Sequence, residues 1–495
     1  MRYLLGVDIG SFSSKGILLD EEGRIIAMAQ RKHEMRVPAP GRAEHDAIED
    51  WWDGFKILTR QLLAESNIDP VDIAAVGCSG IGPCALPVTE DGVPLRPAIL
   101  YGVDIRAEKE IDELNTELGV EAVLARTGNP LTTQSVGPKI RWLQKHEPEV
   151  YARTERIVGC PTFLVHRLTG RWVVDHYGAS CYTPFYDLAA STWHVNTVES
   201  VCPIDWLPDI AWTTDIVGHV SAEAARETGL APNTPVIAGT IDAASEAVSV
   251  GVRQPGDLMI MYGTTAFFIQ VNAKLVTDSR FWAAPFLFEN TWSVMGGLAT
   301  GGGLTQWFRK ELTGLEDSDR AFEILAQEAA ASPPGANGIL TLPYFSGERT
   351  PINDPRAKGL IFGLTLAHSR GDVYRGLIEG IGHAIRHNLD TFAEVQPAEH
   401  IYAVGGGVKN DVWTQSVSDI AGVRQQVRRH TVGAALGSAF LAGLGAGVFQ
   451  QDDIERINPA EAEIVPDIAN RQGYDADHIA FQTLYRNNRD LMQRS

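Results

Sequence analysis

The sequence predicts an α/β protein of two similarly built domains, divided near Gly251 into residues 1-250 and 251-495. Three observations carry that expectation. The 495 residues are more than one core ordinarily organises, since domains usually run to about 100–150 residues and seldom exceed about 300. A glycine-turn hairpin occurs twice, once as GVDIGSFSSKGILLD from Gly6 to Asp20 and again as LMIMYGTTAFFI from Leu258 to Ile269. In each copy an apolar strand runs into Gly and hydroxyl residues and returns as a second apolar strand, so that backbone N–H groups converge at the reversal. Strand-like and helix-like patterns then alternate through both halves, which is the mark of α/β architecture.

The elements follow in order. Residues 1 to about 30 read as a β-meander, Tyr3 to Asp8, Gly16 to Asp20 and Ile25 to Gln30. A Pro- and Gly-bearing loop leads through His45-Asp46 into a helical pattern from Ala47 to Ser66, whose Trp51, Trp52, Phe55, Leu58, Leu62 and Leu63 largely mark one core-facing side. The strand Ile73 to Val76 opens into Gly77-Cys78-Ser79-Gly80-Ile81-Gly82, a loop of the kind that binds ligands at the carboxyl end of an open sheet. Residues 100 to 220 are aromatic and irregular, an elaboration of the first domain. Pro235 to Asp242 is a further strand-to-loop transition, followed by a small-residue helix from Ala243. The second half repeats the logic with Gly301-Gly302-Gly303 opening a helix and Ile401 to Val404 entering Gly405-Gly406-Gly407. A small-residue run, Gly433 to Ala439, reads as a closely packed helix near the nucleotide half.

Composition narrows the function. Lys and Arg total 42 against 62 for Asp and Glu, a net charge of −20, which disfavours nucleic acid as a partner. No stretch approaches the roughly 20 apolar residues that span a bilayer, and the chain enters its first strand without a signal-peptide pattern. Five cysteines, Cys78, Cys84, Cys160, Cys181 and Cys202, form no Cys-x-x-Cys pair, so neither a disulfide framework nor a zinc site is indicated. A cytoplasmic location is expected.

The candidate chemistry lies in the glycine loops and two aspartates. Glycine lets a phosphate or a flat base approach the backbone, although each loop alone is equally a tight turn or a packing site. Asp242, between a strand and a helix, is either an N-cap or a carboxylate that accepts a hydroxyl proton during phosphoryl transfer. Asp8 likewise either caps its turn or holds water on a magnesium ion. His383 and His387 are four apart, but Ala384 stands where a zinc protease needs Glu, so a metal pair is not expected. Neither a Walker sequence nor a Gly-x-Ser-x-Gly elbow is present, so an ATP user would need another phosphate scaffold.

On these residues the chain resembles the FGGY carbohydrate kinases, within the actin-like ATPase superfamily of paired ribonuclease-H-like domains. The resemblance covers nearly the whole length. Lys139 to His146 resembles the first family signature, with Val136 where Pro, Ser or Thr is usual. Gly359 to Leu364, with Asp372-Val373 and Leu377-Ile378-Glu379, resembles the second, with Gly376 in place of Ala or Ser. The resemblance implies two domains with an interdomain cleft, ATP and Mg2+ as cofactors, and a first phosphate loop of Asp8, Gly10, Ser11, Ser13 and Lys15, with Asp8 near magnesium and Phe12 replacing a usual hydroxyl residue. It implies a second phosphate loop at Gly263 and Thr264, nucleotide contacts at Gly302, Gln306, Gly406 and Asn410, and Asp242 as general base. The γ-phosphate would lie between the two hairpins, with closure excluding water.

Family members take their sugar from two loops, here Gly80 to Cys84, which includes Gly82 and Pro83, and Tyr101 to Arg106, which keeps Asp104 and Arg106 but lacks the expected Trp. Asp104 is either a sugar contact or a partner for Arg106. The first loop lacks both the Met-His pair of xylulose kinases and the Arg-Glu pair of glycerol kinases. A ketopentose such as D-xylulose is the substrate expected, with ribulose, a tetritol or another polyol as alternatives. A partner-driven actin- or chaperone-like ATPase is the reading from another class, and a silent sugar-binding protein a third. A homodimer is common among related kinases.

Overall fold

Two sheets of one topology organise the chain, seen in a computed structural model that describes residues 1–316 and 318–494. Residues cluster into two compact units: Met1–Arg253 with Ala273–Ser293 and Val432–Pro459, and Gln254–Asn272 with Val294–Thr431 and Ala460–Ser495. Each unit therefore draws on three stretches of chain, where the sequence leads one to expect a single division near Gly251.

In the first unit β1 (Tyr3–Ile9), β2 (Ser13–Asp20) and β3 (Ile25–Lys32) form the expected meander. β4 (Ile73–Gly80) runs parallel to β1 and is longer than its apolar run suggests. β5 (Ile216–His219), β6 (Pro235–Ile237) and the two-residue β7 (Thr240–Ile241) complete the sheet in the order β5-β6-β4-β1-β2-β3, with β7 beside the end of β4. Trp51, Trp52, Phe55, Leu58 and Leu62 are buried in the core, as their helical spacing predicts, while Leu63 packs against it only partly buried. The other face of the sheet is covered by the helix Ala434–Gly445. A Cβ at Gly6 would come within 2.2 Å of the Ala435 carbonyl oxygen, and one at Gly77 within 2.1 Å of that of Ser438. The small-residue run thus packs backbone to backbone on β1 and β4, which is why it belongs to the first unit. Residues between 100 and 220 build a second, aromatic core around Trp142, Tyr182, Phe185, Tyr186 and Trp206.

The second unit repeats the plan. β8 (Asp257–Tyr262) and β9 (Ala266–Asn272) form the second hairpin, β10 (Trp292–Leu298) follows, and β11 (His400–Val404), β12 (Gln425–Arg428) and β13 (Ala460–Ile464) give the order β10-β9-β8-β11-β12-β13. In both sheets the first strand of the hairpin is parallel to the next strand in the order and antiparallel to its hairpin mate. The second signature proves to be scaffold. Asp372 closes a capping box with Ser369 at the head of the helix Arg370–Val395, and Glu379 accepts from Arg375 and Tyr474, each at 2.7 Å. Among the described residues no helix is long and apolar enough to cross a membrane.

Candidate active site

Three strands of the first unit deliver their carboxyl ends to one edge. In the parallel register Asp8 faces Ser79, which faces Thr240, and Ile9 and Ile241 both flank Gly80. Asp242 is the next residue and opens the helix Asp242–Ser249. It is not the N-cap that one sequence reading offered: that position is Ile241, and the Asp242 carboxylate accepts the Ala243 amide at 2.8 Å. Ser79 Oγ donates to Asp8 Oδ1 at 2.9 Å.

The electrostatics of this edge are those of crowded acids. Burial raises the Asp8 carboxyl to about 6, against the Ser79 hydrogen bond and the charge of Lys15. Burial, then repulsion by Asp8, pushes Asp242 well above the ordinary carboxylate range. Glu246, one helical turn beyond Asp242 and so on the same face, is raised to about 7 by burial and by Asp8. Lys15 is paired across the hairpin with Asp8 and donates to the Val432 carbonyl at 3.3 Å. The donors here are hard oxygens, which suits magnesium, an ion that takes one or two carboxylates and keeps several waters. Among the described residues no cluster of three His, Cys, Asp or Glu side chains is arranged to hold a metal alone.

A cavity of about 360 Å³, its open mouth included, adjoins this edge and is lined by Gly82, Pro83, Cys84, Asp175, Tyr182 and Ile241, among others. A Cβ at Gly82 would come within 2.8 Å of the Ile241 side chain, so the residue before Asp242 depends on the absence of a side chain there. Asp175 is engaged by the Gly178 amide and the Thr213 hydroxyl, both at 2.8 Å. Asp104 and Arg106 do not line the cavity. Asp104 is saturated by the Ala43 amide at 2.7 Å and by the Arg106 guanidinium at 2.7–3.0 Å, and Arg106 also reaches Glu44 at 2.8 Å. The pairing with Arg106 that the sequence offered as one alternative is thus formed, and it occupies the acceptor sites of both carboxylate oxygens.

In the second unit the glycine elements come together. Gly263 and Thr264 make the turn between β8 and β9, and their carbonyls accept amides from Gly301, Gly302 and Gly303 at 2.8–2.9 Å. The amides that open the helix Gly302–Phe308 are therefore spent on the hairpin, and are not the free anion-binding N-terminus that the glycine run suggests. A Cβ at Gly302 would come within 2.8 Å of the Gly263 carbonyl oxygen. Gln306 is exposed on this helix. Gly405 packs on the Tyr262 backbone, Gly406 is exposed with open space around it, and Asn410 N-caps the helix Asp411–Ala421 through the Trp413 amide.

Other buried polar side chains adjoin these elements. Trp413 lies against both Gly302 and Gly407, and its buried indole N–H has no hydrogen-bond partner among the described residues. Glu348 accepts the amides of Ala299 and Arg349 at 2.9 and 2.7 Å, just before the glycine run, and burial raises it to about 8. Glu246 was legible from its i+4 spacing to Asp242; the other two carry no local signal. Lys139 of the first signature is fully buried, donates to the Thr133 and Gln134 carbonyls at 2.9 and 3.4 Å, and is lowered to about 8 by burial.

Two sheets of one topology, each led by a glycine hairpin, define a protein of the actin-like ATPase type. Residues 3–249 match the N-terminal domain of the FGGY family of carbohydrate kinases, and residues 258–446 its C-terminal domain. The chain is 30% identical to the xylulose kinase of Escherichia coli (strain K12), with 99% of each chain covered. It is 27% identical to the xylulose kinase of Bacillus subtilis (strain 168), with 99% of this chain and 98% of that one covered. The crystal structure of xylulose kinase from Rhodospirillum rubrum superposes with a TM-score of 0.93 at 31% identity, over 100% of both chains. The chain belongs to the FGGY family of carbohydrate kinases, and ATP is its phosphoryl donor.

Proposed function

We propose that this kinase transfers the γ-phosphate of MgATP to a hydroxyl of a ketopentose, D-xylulose first among them. The observation that carries the reading is the sheet edge that holds Asp8 and brings in Asp242 directly after Ile241, a residue that lines the cavity together with Gly82 and Pro83. The relatives named xylulose kinase, matched over their full length, support the substrate. Asp242 takes the proton of the acceptor hydroxyl as the phosphoryl group moves. Its raised proton affinity makes it the stronger base once ionised.

Asp8, oriented by Ser79, is the residue that would hold magnesium through water; the ion, when bound, offsets phosphate charge and favours the ionised form of the crowded acids. Gly10, Ser11, Ser13 and Lys15 are assigned to the phosphates, with Gly263 and Thr264 as the second phosphate loop and Gly302, Gln306, Gly406 and Asn410 around the nucleotide. Asp104 and Arg106 hold the second sugar loop in place without touching the sugar. A cytoplasmic location and a homodimer complete the reading; the five free cysteines accord with a reducing compartment.

The test is ADP release with MgATP against ketopentoses, tetritols, glycerol, gluconate and hexuloses. D-xylulose is expected to give the largest kcat/KM, and a different winner reassigns the substrate. Asp242→Asn is expected to lower kcat by about 10²–10⁴-fold while nucleotide binding stays within a few fold. Near-normal turnover would remove Asp242 from the role of base.

A further inference from the structure

The first hairpin turn is held from behind by a histidine whose tautomer is fixed by its surroundings. His45 is fully buried. Its Nδ1 lies 3.1 Å from the Trp51 indole nitrogen. An indole N–H can only donate, so Nδ1 is the acceptor and the ring proton sits on Nε2. That Nε2–H is 3.1 Å from the Ser11 carbonyl oxygen and donates to it. A second proton on the ring would have to displace the indole, and burial accordingly holds the imidazole down to about 4. Trp51 is itself immobilised. It is fully buried, meets Phe163 edge to face at 5.9 Å, and lies in a turn whose start Asp46 caps.

A trans peptide points its C=O and N–H in opposite directions. With the Ser11 carbonyl turned toward His45, the Phe12 N–H faces the other way. The neighbouring peptide is held as well: the His33 amide donates to the Phe12 carbonyl at 3.0 Å, which points the Ser13 N–H away from His33. The Gly10 amide closes the turn on the Ser13 carbonyl at 3.1 Å. Backbone N–H groups turned outward in a glycine turn are the donors from which anion-binding concavities are built.

We propose that His45, fixed as its Nε2–H tautomer by Trp51, is a positioning residue for phosphoryl transfer, holding the Ser11 peptide so that the loop's N–H groups face the donor's phosphates. This rests on the reading that the loop takes those phosphates. His45→Leu removes both hydrogen bonds, whereas His45→Gln can still accept from the indole and donate to the carbonyl.

Steady-state kinetics of the purified full-length variants decide the matter. His45→Leu is expected to raise KM for MgATP, or lower kcat, by about ten-fold or more with the sugar KM within about two-fold, and His45→Gln to recover most of the loss. Should His45→Leu fail to fold, Trp51→Phe removes the tautomer lock while keeping an aromatic ring, and a smaller change in the same MgATP parameters is expected. Normal MgATP kinetics in folded His45→Leu, or in Trp51→Phe where His45→Leu does not fold, overturns the proposal, as does equal impairment in the Leu and Gln variants. Lys15→Met separates the two readings. If it also leaves MgATP kinetics unchanged, the loop is not a phosphate site; if it impairs them while His45→Leu does not, only the role of His45 falls.

Discussion

The two hairpin loops have their carbonyls occupied by different means. In the first, the Ser11 and Phe12 carbonyls are occupied by the His45 ring and the His33 amide. In the second, the Gly263 and Thr264 carbonyls are occupied by the amides of Gly301, Gly302 and Gly303. Both loops thereby turn the following N–H groups away from their backing. The first relies on one side chain in one tautomer, and the second on the absence of side chains. A point substitution can therefore disable either loop, but the first fails by losing a group and the second by gaining one.

That contrast can be broken at several places. The largest effect is expected from Gly302→Val, whose Cβ would come within 2.8 Å of the Gly263 carbonyl oxygen; neither partner is a flexible side chain, so the hairpin must move. KM for MgATP should rise by about 100-fold with the sugar KM unchanged, measured by the same ADP-release assay. An unaffected nucleotide KM would show that the second loop does not need its glycine backing.

A smaller effect is expected at the first sheet edge. In its proposed role toward magnesium Asp8 acts ionised, and its carboxyl is raised to about 6 by burial, so kcat/KM should fall as pH drops through that value. Ser79 donates to the ionised form and lowers its proton affinity, so Ser79→Ala should move the acid limb to higher pH, and added Mg2+ should move it back down. An acid limb indifferent to both changes would dissociate it from Asp8. The smallest effect is expected from Ser369→Ala, which removes an N-cap of the second unit far along the sequence from either loop. About 1 kcal/mol of stability should be lost, seen as a lower urea midpoint with the kinetics unchanged; a changed MgATP KM would mean that the second loop is sensitive to general loosening of its unit.

Much of the architecture was legible because it is written locally. The meander from Tyr3, both hairpins and the apolar face of the helix at Trp51 follow from strand alternation, turn residues and 3.6-residue spacing. The two aspartates stood out because each ends a strand. What spacing could not show was who fills whose hydrogen bonds. Sequence left Asp104 open between a sugar and Arg106, and the structure shows Ala43 and Arg106 on it; sequence left the glycine run at Gly301 open between a ligand site and a packing site, and the structure shows its amides on the hairpin.

The sequence by itself determined the duplicated strand and hairpin pattern and the family motifs, since these depend on side-chain periodicity and turn chemistry within short stretches. Only the tertiary structure decided that Val432–Pro459 completes the first unit, that His45 backs the Ser11 peptide, and that Gly6 and Gly77 exist to let a helix backbone touch the sheet. Those contacts join residues distant in sequence, and backbone approach within a few ångströms leaves no periodic trace along the chain.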